Sequence, residues 1–116
     1  MVLPIRIFLG DLTYNTIGMS TEVFPLNVGY IAAYCKKRFG SKVDITLFKY
    51  IDELEESIYE NPPDILAVSN YVWNHRIGLE MFDLARSHNP NVITVWGGPN
   101  FPQDLESQQS FMKNYT

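Results

Sequence analysis

The chain has 116 residues, 46% of them hydrophobic and 19% charged, which fits one globular domain with a core of its own. Its single cysteine, Cys35, excludes an internal disulfide and a self-contained zinc or iron-sulfur site, and it favours a reducing, cytoplasmic setting. The 9 basic and 13 acidic residues give a net charge of -4, and no apolar run reaches the ~20 residues of a membrane span, so we expect neither nucleic acid nor a membrane as a partner.

The first half of the chain predicts two strands, two helices and one long loop. A β-rich apolar run over residues 5–9 predicts the first strand, and the aperiodic stretch 12–24 predicts a loop long enough to be functional. The helix after this loop is predicted from apolar residues at helical spacing, namely Val28, Ile31, Ala32, Cys35 and Phe39. Alternating apolar residues over 43–48 predict the second strand, and a short acidic helix runs from Ile51 towards Pro62.

The second half predicts two buried strands and two further helices. Residues 65–69 and 92–96 are almost wholly apolar, which is typical of parallel strands covered on both faces. Helical spacing from Ile77 to His88 predicts one helix, and the last helix begins near Asp104. This alternation predicts the α/β class, with a doubly wound parallel sheet of at least four strands and helices on both faces. Because this architecture usually adds a fifth strand, we expect the chain to be a fragment truncated before it.

The expected ligand site lies beyond the carboxyl ends of the strands, where open parallel sheets bind their ligands. This rule selects three loops, residues 10–24, 70–74 and 97–100. Gly97 and Gly98 allow a backbone or a flat ligand to approach closely, or they form a plain tight turn.

Two large aromatic residues, Tyr71 and Trp73, leave the third strand at the mouth of the expected crevice. They suit a broad planar ligand or a partner domain, and the other interpretation is local packing over the end of the sheet. The hydroxyl and amide groups of residues 13–16 could hold the phosphate of a flavin mononucleotide. These residues therefore leave open two functions, a flavin-binding protein and an interaction module.

Familiar catalytic patterns are absent from the sequence. The first strand is followed neither by GxGxxG nor by a Walker loop, which argues against nicotinamide dinucleotides and nucleoside triphosphates. Asp11 stands without a second acidic residue, and the third strand ends in Ser69, which argues against a phospho-acceptor receiver. His75 and His88 are too far apart in helical phase to share a metal, and Cys35 is interpreted as a small core hydrophobe. We expect no catalytic residue in this chain.

Three segments carry a resemblance to a known family: PLNVGYIAAY at 25–34, SNYVWN at 69–74 and VWGGPN at 95–100. Together they resemble the cobalamin-binding domain at the N-terminus of cobalamin-dependent radical SAM proteins. The likeness spans nearly the whole chain, so residues 1–116 are interpreted as a single domain of this kind. It implies a flavodoxin-like, Rossmann-like sheet with the corrin ring over the strand ends and the nucleotide tail of cobalamin in a groove beside the first strand.

The resemblance also implies the residues that bind the cofactor. Cobalamin domains of the methionine synthase type carry the markers DxHxxG, SxL and GG, and Ser69 matches the second, although Tyr71 replaces its leucine. Thr13 stands where the first marker has its cobalt-ligating histidine, so we expect cobalamin to have no protein histidine ligand. The implied cofactor-binding residues are Leu12, Thr13, Tyr14, Ser69, Tyr71, Val72, Trp73, Asn74, Gly97, Gly98, Pro99 and Asn100.

The parent protein implied by the resemblance is a radical SAM enzyme. One cysteine cannot supply the three-cysteine cluster motif, so S-adenosylmethionine and a 4Fe-4S cluster are expected in a missing C-terminal radical SAM domain. The present chain would not be catalytic alone and would hold cobalamin for methyl transfer or radical chemistry. The alternatives are a flavodoxin-like flavin-binding electron carrier and a non-catalytic protein interaction module.

Overall fold

Strands and helices alternate throughout the computed structural model, which describes residues 3–13, 26–71, 74–98 and 100–115. The strands are β1 (Ile5–Thr13), β2 (Val43–Tyr50), β3 (Ile65–Ser69) and β4 (Ile93–Gly97). The helices are α1 (Leu26–Phe39), α2 (Ile51–Glu60), α3 (His75–His88) and α4 (Leu105–Tyr115), and a short turn of 3₁₀ helix over Gly40–Lys42 separates α1 from β2. These are the elements that the apolar periodicity predicts, except that β1 continues beyond the predicted residues 5–9 to Thr13, so Leu12 and Thr13 belong to the strand and not to the predicted loop.

The four strands form one parallel sheet in the order β2-β1-β3-β4. The chain moves from β1 to one side for β2, then crosses back to the other side of β1 for β3 and β4. The order of strands therefore reverses between β1 and β3, which is where a doubly wound sheet opens a crevice at its carboxyl edge. The α/β, flavodoxin-like prediction is confirmed.

The hydrophobic core lies between one face of this sheet and helices α2 and α3. Phe8 of β1 and Leu66 of β3 are paired in register and are 4% and 0% exposed. Leu54 and Ile58, one turn apart on α2, are completely buried against them. α3 contributes Ile77, Met81, Phe82 and Ala85. This spacing places one apolar stripe of α3 on the sheet.

The opposite face carries α1, which packs against β1 and β2. Val28 is buried, and Ala32 and Cys35 are half-buried, in agreement with the predicted apolar stripe. Ile31 and Phe39 depart from that prediction, because they are 53% and 45% exposed. Ile31 faces a groove beside α1, and Phe39 is the last residue of the helix.

The groove exists because the β3 and β4 half of this face is largely open. Ile93 and Val95 of β4 are 59% and 47% exposed, although both are apolar and Val95 is paired in register with Ala67. Parallel sheets are normally covered on both faces, so this half has room for a further element or a ligand. Among the described residues, the helices are too short or too polar to cross a membrane.

Candidate functional site

The carboxyl ends of β1, β3 and β4 lie side by side, because the register pairs Gly10 with Val68 and Ser69 with Gly97. The three loops that the sequence selects therefore meet at one edge of the sheet. Of the predicted cofactor-binding residues, the structure brings together Leu12, Ser69, Tyr71, Asn74, Gly97, Gly98 and Asn100. Thr13 is described by its backbone alone. Tyr14, Val72, Trp73 and Pro99 lie outside the described residues.

A hydrogen bond between side chains joins the first two of these loops. The hydroxyl of Ser69 donates to the Oδ1 atom of Asp11 at 2.6 Å. Ser69 is 7% exposed, and a short bond to an ionised acceptor is among the stronger hydrogen bonds in a protein. The carboxyl end of β1 is therefore fixed to the end of β3.

Asn74 makes a second link between the same loops. Its Nδ2 atom donates to the carbonyl oxygen of Leu12 at 3.2 Å and lies 3.4 Å from the Oγ atom of Ser69. Its Oδ1 atom accepts a 2.7 Å hydrogen bond from the backbone N–H of Tyr71. Asn74 is 1% exposed, and Leu12 belongs to the hydrophobic core. Leu12 and Asn74, both predicted as cofactor-binding residues, therefore hold the loops in place from the interior, and their side chains are not at the surface.

Asn70 links the loop after β3 to the loop after β4. Its backbone N–H donates to the carbonyl oxygen of Gly97, and its carbonyl oxygen accepts from the backbone N–H of Asn100 at 3.1 Å. Its side-chain Oδ1 atom also lies 3.3 Å from the Nδ2 atom of Asn100. Asn70 is 1% exposed and was not among the predicted site residues. Its position directly after a buried strand is the sequence signal for such a role.

Gly98 is held against Asn70 in a conformation that suits glycine. Its φ angle is +127°, and a Cβ atom there would lie 2.9 Å from the carbonyl oxygen of Asn70. Both facts require glycine at this position. Gly97 differs, since a Cβ atom would meet nothing within 4 Å. Of the two interpretations of this pair, the close backbone approach holds for Gly98, while Gly97 faces open space.

A mostly apolar pocket of about 200 Å³ lies beneath these loops, on the α1 face of the sheet. The sheet residues Leu9, Ala67 and Val95 form its floor, and Val28 and Ile31 of α1 form one wall. Its upper end opens between the loops after β3 and β4. None of the described residues that line this pocket is charged, so it suits an extended group that is neutral and largely apolar.

Comparison with known proteins identifies the family. The model of the B12 binding domain family matches residues 15–111. The chain belongs to this B12-binding family. It is 33% identical over 93 residues to the cobalamin-dependent radical SAM methyltransferase TokK of Streptomyces tokunonensis, and 31% identical over 93 residues to the 2-(S-pantetheinyl)-carbapenam-3-carboxylate methyltransferase of Streptantibioticus cattleyicolor. Each match covers 74% of this chain and 13% of the relative.

The family assignment decides between the alternatives left open by the sequence. The resemblance to the cobalamin-binding domains of radical SAM proteins is confirmed, and the domain is similar to those of cobalamin-dependent radical SAM methyltransferases. A flavin-binding electron carrier and an interaction module without a cofactor are not favoured. The chain spans about an eighth of the length of the relatives it matches, since 13% of each is covered.

The pocket and loops of the B12-binding domain fit cobalamin. Gly97 leaves open space at the strand ends, where a flat corrin ring needs a surface without projecting side chains. The apolar pocket below, lined by Leu9 of β1 and by residues of β3 and β4, offers a volume for a planar base. Among the described residues, no group of three or more His, Cys, Asp and Glu side chains is arranged to hold a metal ion.

The two histidines of the domain have different surroundings. His75, the first residue of α3, stacks on Trp96 with ring centroids 4.7 Å apart, and its Nδ1 atom lies 3.1 Å from the Oδ1 atom of Asn70. His88, at the other end of α3, is exposed, and its Nδ1 atom lies 3.1 Å from the carbonyl oxygen of Leu84. His88 is therefore an exposed histidine at the end of its helix, away from the strand ends. His75 is instead half-buried and belongs to the site.

Proposed function

We propose that this domain binds cobalamin with the corrin ring over the carboxyl ends of β1, β3 and β4. The observation that carries the proposal is the apolar pocket, which begins below Gly97 and Gly98 and runs between α1 and the sheet. Its floor and wall have the neutral, apolar character that the nucleotide base of cobalamin requires, so we place the nucleotide tail there. The backbone links among the three loops keep the entrance to this pocket in one shape.

The predicted cofactor-binding residues fall into two groups in this proposal. Gly97 and Gly98 supply a flat surface beside the ring. Tyr71 and the residues predicted from the sequence alone, namely Thr13, Tyr14, Val72, Trp73 and Pro99, are proposed as further contacts of the cofactor. The residues that fix these loops from within are Leu12, Ser69, Asn74 and Asn100, whose hydrogen bonds join the loops to one another.

We propose further that cobalt receives no nitrogen ligand from this protein. Asp11 is followed by leucine and threonine, so the place of a ligating histidine holds Thr13, whose neutral hydroxyl is a poor cobalt ligand. The Nδ1 atom of His75 is within hydrogen-bond distance of Asn70, and its ring is stacked on Trp96. Nδ1 of His75 is thus already engaged within the protein, and with Thr13 in the place of a ligating histidine we propose a lower face occupied by water or left open.

The domain would serve a longer enzyme. We propose that a C-terminal radical SAM domain supplies S-adenosylmethionine and a 4Fe-4S cluster, and that bound cobalamin supplies methyl transfer. The name of TokK supports a cobalamin-dependent radical SAM enzyme, and both relatives are named as methyltransferases. In this arrangement residues 1–116 form a single cofactor-binding domain that orients cobalamin and excludes water from it. A cytoplasmic location is part of the proposal, and the lone cysteine supports it.

Pocket-filling variants test the proposal. Val95→Phe places a larger side chain on the pocket floor, where Val95 is 47% exposed and the ring has room to enter the pocket. Hydroxocobalamin titrated into the intact protein, followed by its absorbance change and by equilibrium dialysis, should bind the wild type and bind this variant at least tenfold more weakly. Ile93→Phe is the matched control, because Ile93 lies on the same strand and face but outside the pocket.

The outcomes of this titration are distinct. Weak binding by Val95→Phe and normal binding by Ile93→Phe support the proposed site. Equal affinity in all three proteins would show that cobalamin does not use this pocket. A folded wild type that binds flavin mononucleotide but no cobalamin would overturn the proposed function itself.

A further inference from the structure

His75 lies where three parts of the domain meet. It begins α3, its ring stacks on Trp96 of β4 with an interplanar angle of 24°, and its edge faces the loops after β3 and β4. Trp96 is itself packed against Phe82 and Phe111, with ring centroids 5.5 Å apart in both cases. The plane of the His75 ring is therefore fixed by an aromatic cluster that α3, β4 and α4 share.

The hydrogen-bond geometry indicates which atom of His75 carries a proton. The Oδ1 atom of Asn70 lies 3.1 Å from Nδ1 of His75 and 3.3 Å from Nδ2 of Asn100. An amide oxygen has two lone pairs and accepts two donors, whereas an amide nitrogen only donates. The arrangement in which both neighbours donate to Oδ1 satisfies every group, and it assigns the proton of His75 to Nδ1. This donation sets which way the Asn70 amide faces.

The position of Asn70 in turn affects the loop that contains Gly97 and Gly98. The backbone of Asn70 pairs with Gly97 and with Asn100, and its carbonyl oxygen is the atom closest to Gly98. Rotation of the Asn70 amide would release Asn100, whose side chain also lies 3.3 Å from Nδ1 of His75. A change at His75 is thereby transmitted through Asn70 to Gly97, Gly98 and Asn100, and His75 is not among the described residues that line the pocket.

We propose that His75 is a positioning residue for cobalamin binding, which acts through Asn70 on the loop 97–100. The proposal rests on the proposed function, since it concerns how tightly that loop receives the cofactor. The imidazole has two separable roles: the ring face stacks on Trp96, and Nδ1 donates to Asn70. The hydrogen bond is the role assigned to cofactor binding, and the stack is assigned to stability.

Two substitutions separate these roles. His75→Phe keeps an aromatic ring for the stack and removes the donor, whereas His75→Asn removes the ring and keeps a donor near the position of Nδ1. Hydroxocobalamin titrated into the intact protein should bind His75→Phe about tenfold more weakly, the factor expected for one lost buried hydrogen bond. The affinity of His75→Asn should stay within about twofold of the wild type, while its melting temperature falls. His88→Phe, at the other end of the same helix, is the control and should bind normally.

The cobalamin affinities of His75→Phe and His75→Asn, compared with each other, decide which role of His75 matters for binding. Normal affinity in His75→Phe with weak binding in His75→Asn would show that the stack matters and would overturn the proposal. If His75→Phe does not fold, His75→Ala takes its place, and equal losses in the alanine and asparagine variants would likewise overturn it. If the folded wild type itself binds no cobalamin, the proposed function fails, which is distinct from either result.

Discussion

The hydroxyl of Ser69 donates a 2.6 Å hydrogen bond to the carboxylate of Asp11, which lies 58 residues earlier in the chain. The two residues leave neighbouring parallel strands on either side of the point where the strand order reverses. Ser69 is almost fully buried, so its hydroxyl depends on this carboxylate and on the nearby Asn74 amide rather than on water. The bond fixes the separation of two loops that any ligand at this edge must contact.

Loss of this bond should destabilise the domain. Ser69→Ala removes the donor and should lower the free energy of unfolding by about 1–3 kcal/mol, because the part-buried carboxylate of Asp11 loses a partner. Asp11→Asn should cost less, since an amide oxygen still accepts the hydroxyl proton. Urea denaturation measures both effects. Ser41→Ala, in the exposed turn before β2, is the control and should change the free energy by no more than ~0.5 kcal/mol. Equal losses at positions 69 and 41 would contradict this prediction.

Gly40 and Gly98, the described glycines with positive φ, should respond differently to alanine. Gly40 has a φ of +55° and nothing within 4 Å of the position of a Cβ atom, whereas a Cβ on Gly98 would lie 2.9 Å from Asn70. Both variants should lose stability, by roughly 1–2 kcal/mol for the unfavourable φ. We expect cobalamin affinity to fall about tenfold or more in Gly98→Ala alone, because the loop must move away from Asn70. Hydroxocobalamin titration distinguishes the two variants. An equal loss of cobalamin affinity in Gly40→Ala would show that the loss in Gly98→Ala is not specific to the loop.

Much of the fold could be predicted from local patterns. The apolar run of β3 and the stripe of α3 each specify an element, because burial on a sheet or a helix face imposes a period on the sequence. The rule that ligands bind at strand ends then selected three loops, residues 10–24, 70–74 and 97–100, which follow adjacent strands of the sheet. The predicted elements are confirmed because the constraint on them is local in the sequence.

The remaining features depend on contacts between distant residues. Asn70 links two loops because its backbone forms hydrogen bonds with Gly97 and Asn100. The periodicity of a sequence does not show which loop will lie opposite an asparagine. Similarly, a helical stripe shows which side of α1 is apolar but not how much of the sheet lies beneath it, so Ile31 was expected in the core and is exposed. His75 stacks on a tryptophan 21 positions later, which is again a matter of tertiary packing.

Asp104 should make α4 sensitive to acid. The backbone N–H of Ser107 donates to the Oδ2 atom of Asp104 at 2.9 Å, and this hydrogen bond holds the pKa of Asp104 below its ordinary value. A carboxyl whose pKa is lower in the folded state stabilises the fold above its unfolded pKa, and the contribution is lost as the pH falls through the folded pKa. We therefore expect the start of α4 to fray at acid pH.

Nuclear magnetic resonance tests this prediction through the Asp104 side chain and the Ser107 amide. The carboxyl should titrate below a free aspartate, and the Ser107 amide should lose its exchange protection over the same pH range. Asp104→Ala should expose this amide already at neutral pH. Asp44→Ala, on an exposed position of β2, should leave it unchanged. A Ser107 amide equally protected in the Asp104 variant would show that the cap contributes nothing.

The lower face of bound cobalamin should carry no nitrogen from this protein. Residues 10–24 contain no histidine, and Thr13 occupies the place from which such a ligand would come. His75 is the nearest competitor, but its Nδ1 atom is engaged with Asn70 and its ring is held against Trp96. Because Nδ1 is engaged with Asn70, ligation by His75 would have to use its Nε2 atom. The electron paramagnetic resonance spectrum of the cob(II)alamin form, recorded at saturating cofactor, should show no splitting from a protein nitrogen and should be the same in His75→Ala. A nitrogen splitting in the wild type that disappears in this variant would identify His75 as the ligand and contradict the prediction.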